Sequence, residues 1–206
     1  MDKYLWPITL VVGAAVCALL LWYLFAPASY TNYPPREGPI VAFGDSLVSG
    51  TGSTEGHDFV SLVSKSINEP IINLGAPGDT TALGLARIDT ATALHPRMAI
   101  VLLGGNDYLH KIPEADTFKN LRMVIERLQK DGALVVLLGV RGGLLSDHFA
   151  GDFKSLAKDT GSIYVSDVLD GLVGNRLYMF DQVHPNDAGY AVIADRVFKA
   201  IRPFLR

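Results

Sequence analysis

Five short apolar runs punctuate the chain: PIVAFG (39–44), PIINLG (70–75), MAIVLLGG (98–105), ALVVLLGV (133–140) and SIYVSD (162–167). They do not alternate apolar with polar residues, so a strand built from any of them has to be buried on both faces. A parallel sheet covered by helices on either side provides that environment, and its neighbouring strands need helical crossovers. The intervening segments comply. Residues 79–93, 114–130, 146–160 and 187–203 carry helical spacing, the last with Ala188, Ala191, Val192, Ala194, Val197, Phe198 and Ile201 on one broad apolar face. The pattern predicts an α/β fold, a three-layer α/β/α sandwich on a five-stranded, flavodoxin-like parallel sheet spanning residues 39–206.

The 206 residues suit a single domain of ordinary size. A net charge of -3 with scattered Lys and Arg leaves no basic stripe, which argues against nucleic acid as a partner. Cys17 is the sole cysteine, so neither an intramolecular disulfide nor a cysteine metal site can form. From Tyr4 to Ala28 no residue is charged, and Ile8 to Phe25 make an apolar run of about 18 residues, close to the span of a bilayer core. Two readings stay open for residues 1–28. One is a leader cleaved after Ala26-Pro27-Ala28; the other, favoured by Trp6, Trp22 and Tyr23 at the ends of the run, is a retained transmembrane anchor. Either puts the folded domain outside the cytoplasm. Residues 29–38, SYTNYPPREG, read as a short stiff linker that would hold the domain close to the membrane.

In open parallel sheets functional residues gather at the carboxyl ends of the strands. Three ends here carry such residues: Asp45-Ser46 after the first run, Asn73 and Gly75 at the end of the second, and Gly104-Gly105-Asn106-Asp107 after the third. Ser46 and Asp45 are also good helix caps, a role compatible with chemistry at Ser46. A serine hydroxyl attacks only when a base takes its proton and a third group orients that base. Of the five histidines, His57, His95, His110 and His148 read as surface or loop residues. In DQVHPND, Asp181 stands three residues before His184, within reach of Nδ1, and Pro185 keeps His184 extended. Ser46 N–H, Gly75 N–H and the Asn106 side chain are candidate donors to an oxyanion.

GDSL (44–47), NLGAPGDT (73–80), GGND (104–107) and DQVHPN (181–186), in that order, resemble the SGNH (GDSL) hydrolase superfamily. GDTTALGLARI, LLGGNDYL and HPNDAGYAVIADRV are similar to its bacterial branch of thioesterase I, lysophospholipase L1 and arylesterase. The resemblance implies an ester hydrolase with Ser46 as nucleophile, His184 as base, Asp181 as its orienter, and an oxyanion hole of Ser46, Gly75 and Asn106. It implies no cofactor and no metal. Small acyl esters, thioesters or lysophospholipids are the expected substrates of a monomeric enzyme, with Asp45, Leu109, Leu144 and Leu145 as candidate substrate contacts. Ile112 and Phe149 are further candidates for the border of an acyl groove, or for sealing the core beneath it.

Some features depart from that branch. The leader looks long enough to stay, and VRGGLLSDHFAGDF (140–153) is unusually rich in glycine and apolar residues for a substrate loop. No G-x-S-x-G elbow occurs, so the common α/β-hydrolase reading fails. The glycines at 50, 52 and 56 match a dinucleotide loop only loosely. Two alternatives remain: an O-acetylesterase acting on cell-wall glycan, and a noncatalytic binding module on the same scaffold.

Overall fold

A computed structural model of the chain describes residues 16–17, 29–142 and 149–205. Its elements run β1 (Ile40–Gly44), α1 (Ser46–Ser49), α2 (Phe59–Ile67), β2 (Ile71–Gly75), α3 (Thr81–Ala86), α4 (Asp89–Thr92), β3 (Met98–Leu102), α5 (Gly105–Leu109), α6 (Glu114–Lys130), β4 (Leu134–Leu138), α7 (Ala150–Thr160), β5 (Ile163–Val165) and α8 (Asp187–Ile201), which ends in a 3-10 turn, Arg202–Phe204. The five strands pair in parallel in the order β2-β1-β3-β4-β5. Helices α2 and α8 pack together in one layer, and α3, α6 and α7 make the other. This is the sandwich that the doubly apolar runs demand: every residue of β1, β3 and β4 is buried. At the sheet edge, β2 is only half covered and leaves Ile72 exposed. Because β1 lies between β2 and β3, the chain reverses its winding there, opening a crevice above the carboxyl ends of β1 and β3.

Two helical regions differ from the sequence reading. FVSLVSKSI (59–67), not anticipated, is α2; Asp58 caps it through Oδ1, which accepts from Ser61 N–H at 2.9 Å, and Phe59, Val60 and Val63 are buried. The segment 79–93 divides into α3 and α4 because Arg87 leaves helical geometry (φ -110) while its guanidinium reaches back to the strand ends.

Residues 29–38, expected as a tether, lie on the domain as a strap. Thr31 N–H donates to Gly161 O and Thr31 Oγ1 to Thr160 O, each at 2.9 Å, while Asn32 Nδ2 donates to Gln129 O (2.8 Å) and Ala133 O (3.0 Å). Arg36 pairs with Asp131 at 3.3 Å, and the rings of Tyr30 and Tyr33 stand edge-on to Phe204. These partners lie just before the strands begin, so the strap crosses the rim opposite the crevice, and the chain enters the domain on that side. The apolar run 8–25 falls outside the described residues apart from Val16 and Cys17, which are exposed and helical. Among the described residues no helix is long and apolar enough to cross a membrane.

Candidate active site

The chain turns from β1 into α1 over one residue. Asp45 caps the helix through Oδ1, which accepts from Leu47 N–H at 2.9 Å, making Ser46 the first helical residue. Its N–H is therefore one of the orphan donors of a helix start, facing the crevice with the hydroxyl. Across the crevice, residues 178–186 form a tight loop closed by Asn186 N–H to Tyr178 O and Phe180 N–H to His184 O, each 2.9 Å. His184 Nε2 lies 3.0 Å from Ser46 Oγ, and His184 Nδ1 lies 2.8 Å from Asp181 Oδ2. The carboxylate can only accept, so Nδ1 carries the proton and Nε2 is left to accept from the serine hydroxyl. Asp181 Oδ1 also takes the N–H of Val183 (2.8 Å) and of His184 (2.7 Å). Partial burial pushes the Asp181 carboxyl up, but bonds from the His184 ring and these two N–H groups outweigh it and hold it below the ordinary carboxylate range. Ser46, His184 and Asp181 are thus brought into one hydrogen-bonded line from loops distant in sequence.

The second strand end corrects an expectation. Gly75 N–H is not free: it donates to Asn73 Oδ1 at 2.9 Å, and Asn73 Nδ2 donates to Val48 O at 2.7 Å. Glycine is needed there for close approach, since a Cβ would fall 2.2 Å from Ser49 N. The available donor is three residues on. Ala76–Asp79 is a turn closed by Asp79 N–H to Ala76 O at 3.2 Å, with Pro77 second and Gly78 (φ +85) third, the pattern of a type II turn. Gly78 N–H and Ser46 N–H donate to no protein group among the described residues, and nothing approaches within 4 Å of where a Gly78 Cβ would be. Pro77-Gly78 was a visible signal for this turn in the sequence.

Asn106 opens the third strand end, on α5. One hydrogen of its side-chain amide goes to Asp79 O at 2.9 Å, which places it beside the Gly78 turn and leaves the other hydrogen for the crevice. Two further ties hold the turn. Arg87 donates from Nε to Asp79 Oδ2 (2.5 Å), from Nη2 to Gly44 O (2.8 Å) and from Nη1 to Leu74 O (3.0 Å), with its guanidinium 4.2 Å over the Phe43 ring. Asp107, fully buried, accepts from Thr81 N–H at 2.8 Å and from Thr81 Oγ1 at 2.5 Å.

Asp45, a candidate substrate contact in the sequence, is placed otherwise. It is 3% exposed and serves the start of α1. Burial, partly offset by the Leu47 N–H and by His184, pushes its carboxyl up to about 7. Leu109 is exposed on α5, one turn beyond Asn106. Leu144, Leu145 and His148 lie outside the described residues. Phe149 does not border a groove: it is buried in the core with Phe118 and Phe153. His57 lies against Thr54, His95 against Asp131, and His110 ends α5; the histidine that meets Ser46 is His184. Among the described residues no cluster of three or more His, Cys, Asp or Glu side chains is arranged to hold a metal ion.

Residues 42–192 match the profile of the GDSL-like Lipase/Acylhydrolase family. Esterase TesA of Pseudomonas aeruginosa is 27% identical over 200 residues, 91% of this chain and 99% of its own length. Thioesterase 1/protease 1/lysophospholipase L1 of Escherichia coli is 26% identical over 175 residues, 81% of this chain and 84% of its own. Among solved structures, TesA aligns with a TM-score of 0.76 at 27% identity over 81% of this chain and 99% of that one. AlinE4, an SGNH-hydrolase family esterase, aligns with a TM-score of 0.64 at 32% identity over 83% and 98%. The extent of the profile match makes the chain a member of the GDSL-like lipase/acylhydrolase family, a serine ester hydrolase of the SGNH type.

Proposed function

We propose that residues 39–206, with the strap 29–38, form one catalytic domain that hydrolyses small acyl esters and thioesters through an acyl-Ser46 intermediate. The observation that carries this is the 3.0 Å contact between Ser46 Oγ and His184 Nε2, backed by Asp181 on the other ring nitrogen. Ser46 Oγ forms a bond to the carbonyl carbon as its proton passes to Nε2. The charge developing on the carbonyl oxygen is met by the N–H groups of Ser46 and Gly78 and by the Asn106 amide. As the tetrahedral intermediate collapses, the bond to the leaving alcohol or thiol breaks and Nε2 returns the proton to it. Water then repeats the sequence on the acyl-serine, giving its proton to Nε2, which passes it to Ser46 Oγ as the acid departs. Asp181, ionised down into the acid range, stabilises the imidazolium at each stage and keeps Nδ1 protonated.

Exposed Tyr108 and Leu109 on the helix that carries Asn106 support an acyl side of apolar character, suited to chains of medium length or longer. A steady fall or flat profile of kcat/KM from p-nitrophenyl acetate to laurate contradicts that preference. The uncharged stretch 4–28 supports export of the domain, with Ser29 at the start of the strap as the first mature residue if the leader is cut after Ala28; intact-mass measurement of the exported protein decides it. For the reaction itself, Ser46→Ala and His184→Ala are each expected to reduce p-nitrophenyl ester turnover by about 10³-fold or more. Near-normal turnover in either variant refutes the assignment.

A further inference from the structure

The nucleophile and the base sit on loops that touch with no side chain between them. Gly52 (φ +95) lies against the base loop so closely that a Cβ would be 2.5 Å from Pro185 O, 3.0 Å from Phe180 Cβ and 3.3 Å from His184 Cβ. Contact alone fixes a minimum distance but no register. That is supplied two residues later, where Thr54 N–H donates to Asp187 Oδ1 at 2.7 Å and Thr54 Oγ1 donates to Asp187 Oδ2 at 2.8 Å. Thr54 follows Ser46 by eight residues, across the short helix α1 and the turn after it, and Asp187 follows His184 by three.

Asp187 opens helix α8, and an acidic residue in a first turn ordinarily serves the helix. Here that job is taken: Asn186 is the cap, accepting Gly189 N–H at 3.1 Å, while both Asp187 oxygens are engaged by Thr54. The Thr54 bonds, from the N–H first and the hydroxyl second, hold the Asp187 carboxyl below the usual range, so it stays an acceptor at neutral pH. With its single hydrogen committed to Asp187, the Thr54 hydroxyl accepts from His57 Nδ1, 3.0 Å away. A parallel tie runs one turn along α8, where Tyr190 OH donates to Thr51 O at 2.8 Å; burial pushes the Tyr190 phenol up, keeping it a donor.

We infer that Thr54 and Asp187 are positioning residues, a two-bond brace between the nucleophile loop and the base loop that sets His184 Nε2 at hydrogen-bond distance from Ser46 Oγ. Neither touches the reacting atoms. The inference rests on Ser46 and His184 being the nucleophile and base.

Displacements of about 1 Å at a reacting pair can cost up to about 10²-fold in rate, so a loosened brace acts on kcat. Thr54→Val, which keeps the shape and the N–H but loses the hydroxyl, and Asp187→Ala, which loses both bonds, are expected to lower kcat on a p-nitrophenyl ester by about tenfold or more with KM within about twofold. Thr54→Ser restores the hydroxyl and should stay close to the parent enzyme. The rate of Ser46 phosphonylation by a fluorophosphonate should fall by the same factor as kcat. Unchanged kcat in Thr54→Val and Asp187→Ala overturns the brace, as does a Thr54→Ser variant impaired as deeply as Thr54→Val. Ser46→Ala, run alongside, separates the two levels: activity surviving there sinks the nucleophile assignment, whereas an inactive Ser46→Ala with unimpaired brace variants sinks the brace alone.

Discussion

The two rims of the sheet are built on opposite rules. At the rim where the strands begin, the strap 29–38 supplies donors to carbonyls that lie just before β4 and β5: Thr31 to residues 160 and 161, Asn32 to residues 129 and 133. At the rim where they end, donors are left open. Ser46 N–H and Gly78 N–H have no protein partner among the described residues, and beneath them lies Asp45, a carboxyl taken almost wholly out of water. One rim spends its polar groups on stability, and in the proposed mechanism the other holds them ready for a charge that exists only during reaction. Substitutions on the two rims should therefore separate catalysis from folding.

The largest separation is expected at Asp181. Asp181→Asn leaves the shape of the base loop but can donate to Nδ1, favouring the wrong tautomer, and should lower kcat by about 10²- to 10⁴-fold with little change in melting temperature. A loss under threefold breaks the comparison at its strongest point. Next comes Asp45. Its folded-state value of about 7 lies above the 3.8 of an ordinary aspartate, so its contribution to stability is full below about pH 4 and is lost as pH rises through 7. The span is on the order of 4 kcal/mol. Asp45→Asn keeps an acceptor for Leu47 N–H and removes the charge, so its stability relative to the parent should climb between pH 4 and pH 8; denaturant melts at both pH values that differ by the same amount for the two proteins contradict this.

A smaller effect is expected at Asn106, the proposed side-chain oxyanion donor, where loss of one such donor costs about 3 kcal/mol of activation, on the order of 100-fold in kcat. Asn106→Ala with kcat intact but KM raised would make the amide a ground-state contact instead. The smallest change belongs to the opposite rim. Asn32→Ala, which breaks two hydrogen bonds to buried-end carbonyls, should cost about 1–2 kcal/mol in chemical denaturation and leave kcat within error. A drop in kcat at Asn32 would show the rims to be coupled.

Much of this was legible before any coordinates. Doubly apolar runs announce a covered parallel sheet, and the three-residue spacing of Asp181 and His184 announces the contact found between them, because both signals are local in sequence. What escaped depends on where a neighbour sits. NLGAPGDT holds two glycines with competent amides, and only the folded positions of Asn73 and Ser49 show that Gly75 is consumed by packing while Gly78 is left open. Asp45 reads equally well as a substrate contact or a cap until its burial is known. SYTNYPPREG has the composition of a linker, and nothing in it records that residues 129, 133, 160 and 161 present carbonyls to it. Short α2 was hidden by its serines, which dilute an apolar face that Phe59, Val60 and Val63 nonetheless complete.

The central claim is that the hydroxyl of Ser46 is activated by His184 at the open rim. Brief treatment of the full chain with a fluorophosphonate, followed by peptide mass mapping, tests it most directly. The account predicts a single adduct on Ser46 in the parent protein and none in His184→Ala over the same interval. An unmodified Ser46, an adduct on Ser49 or Ser53 in its place, or equal labelling with and without the imidazole would contradict it.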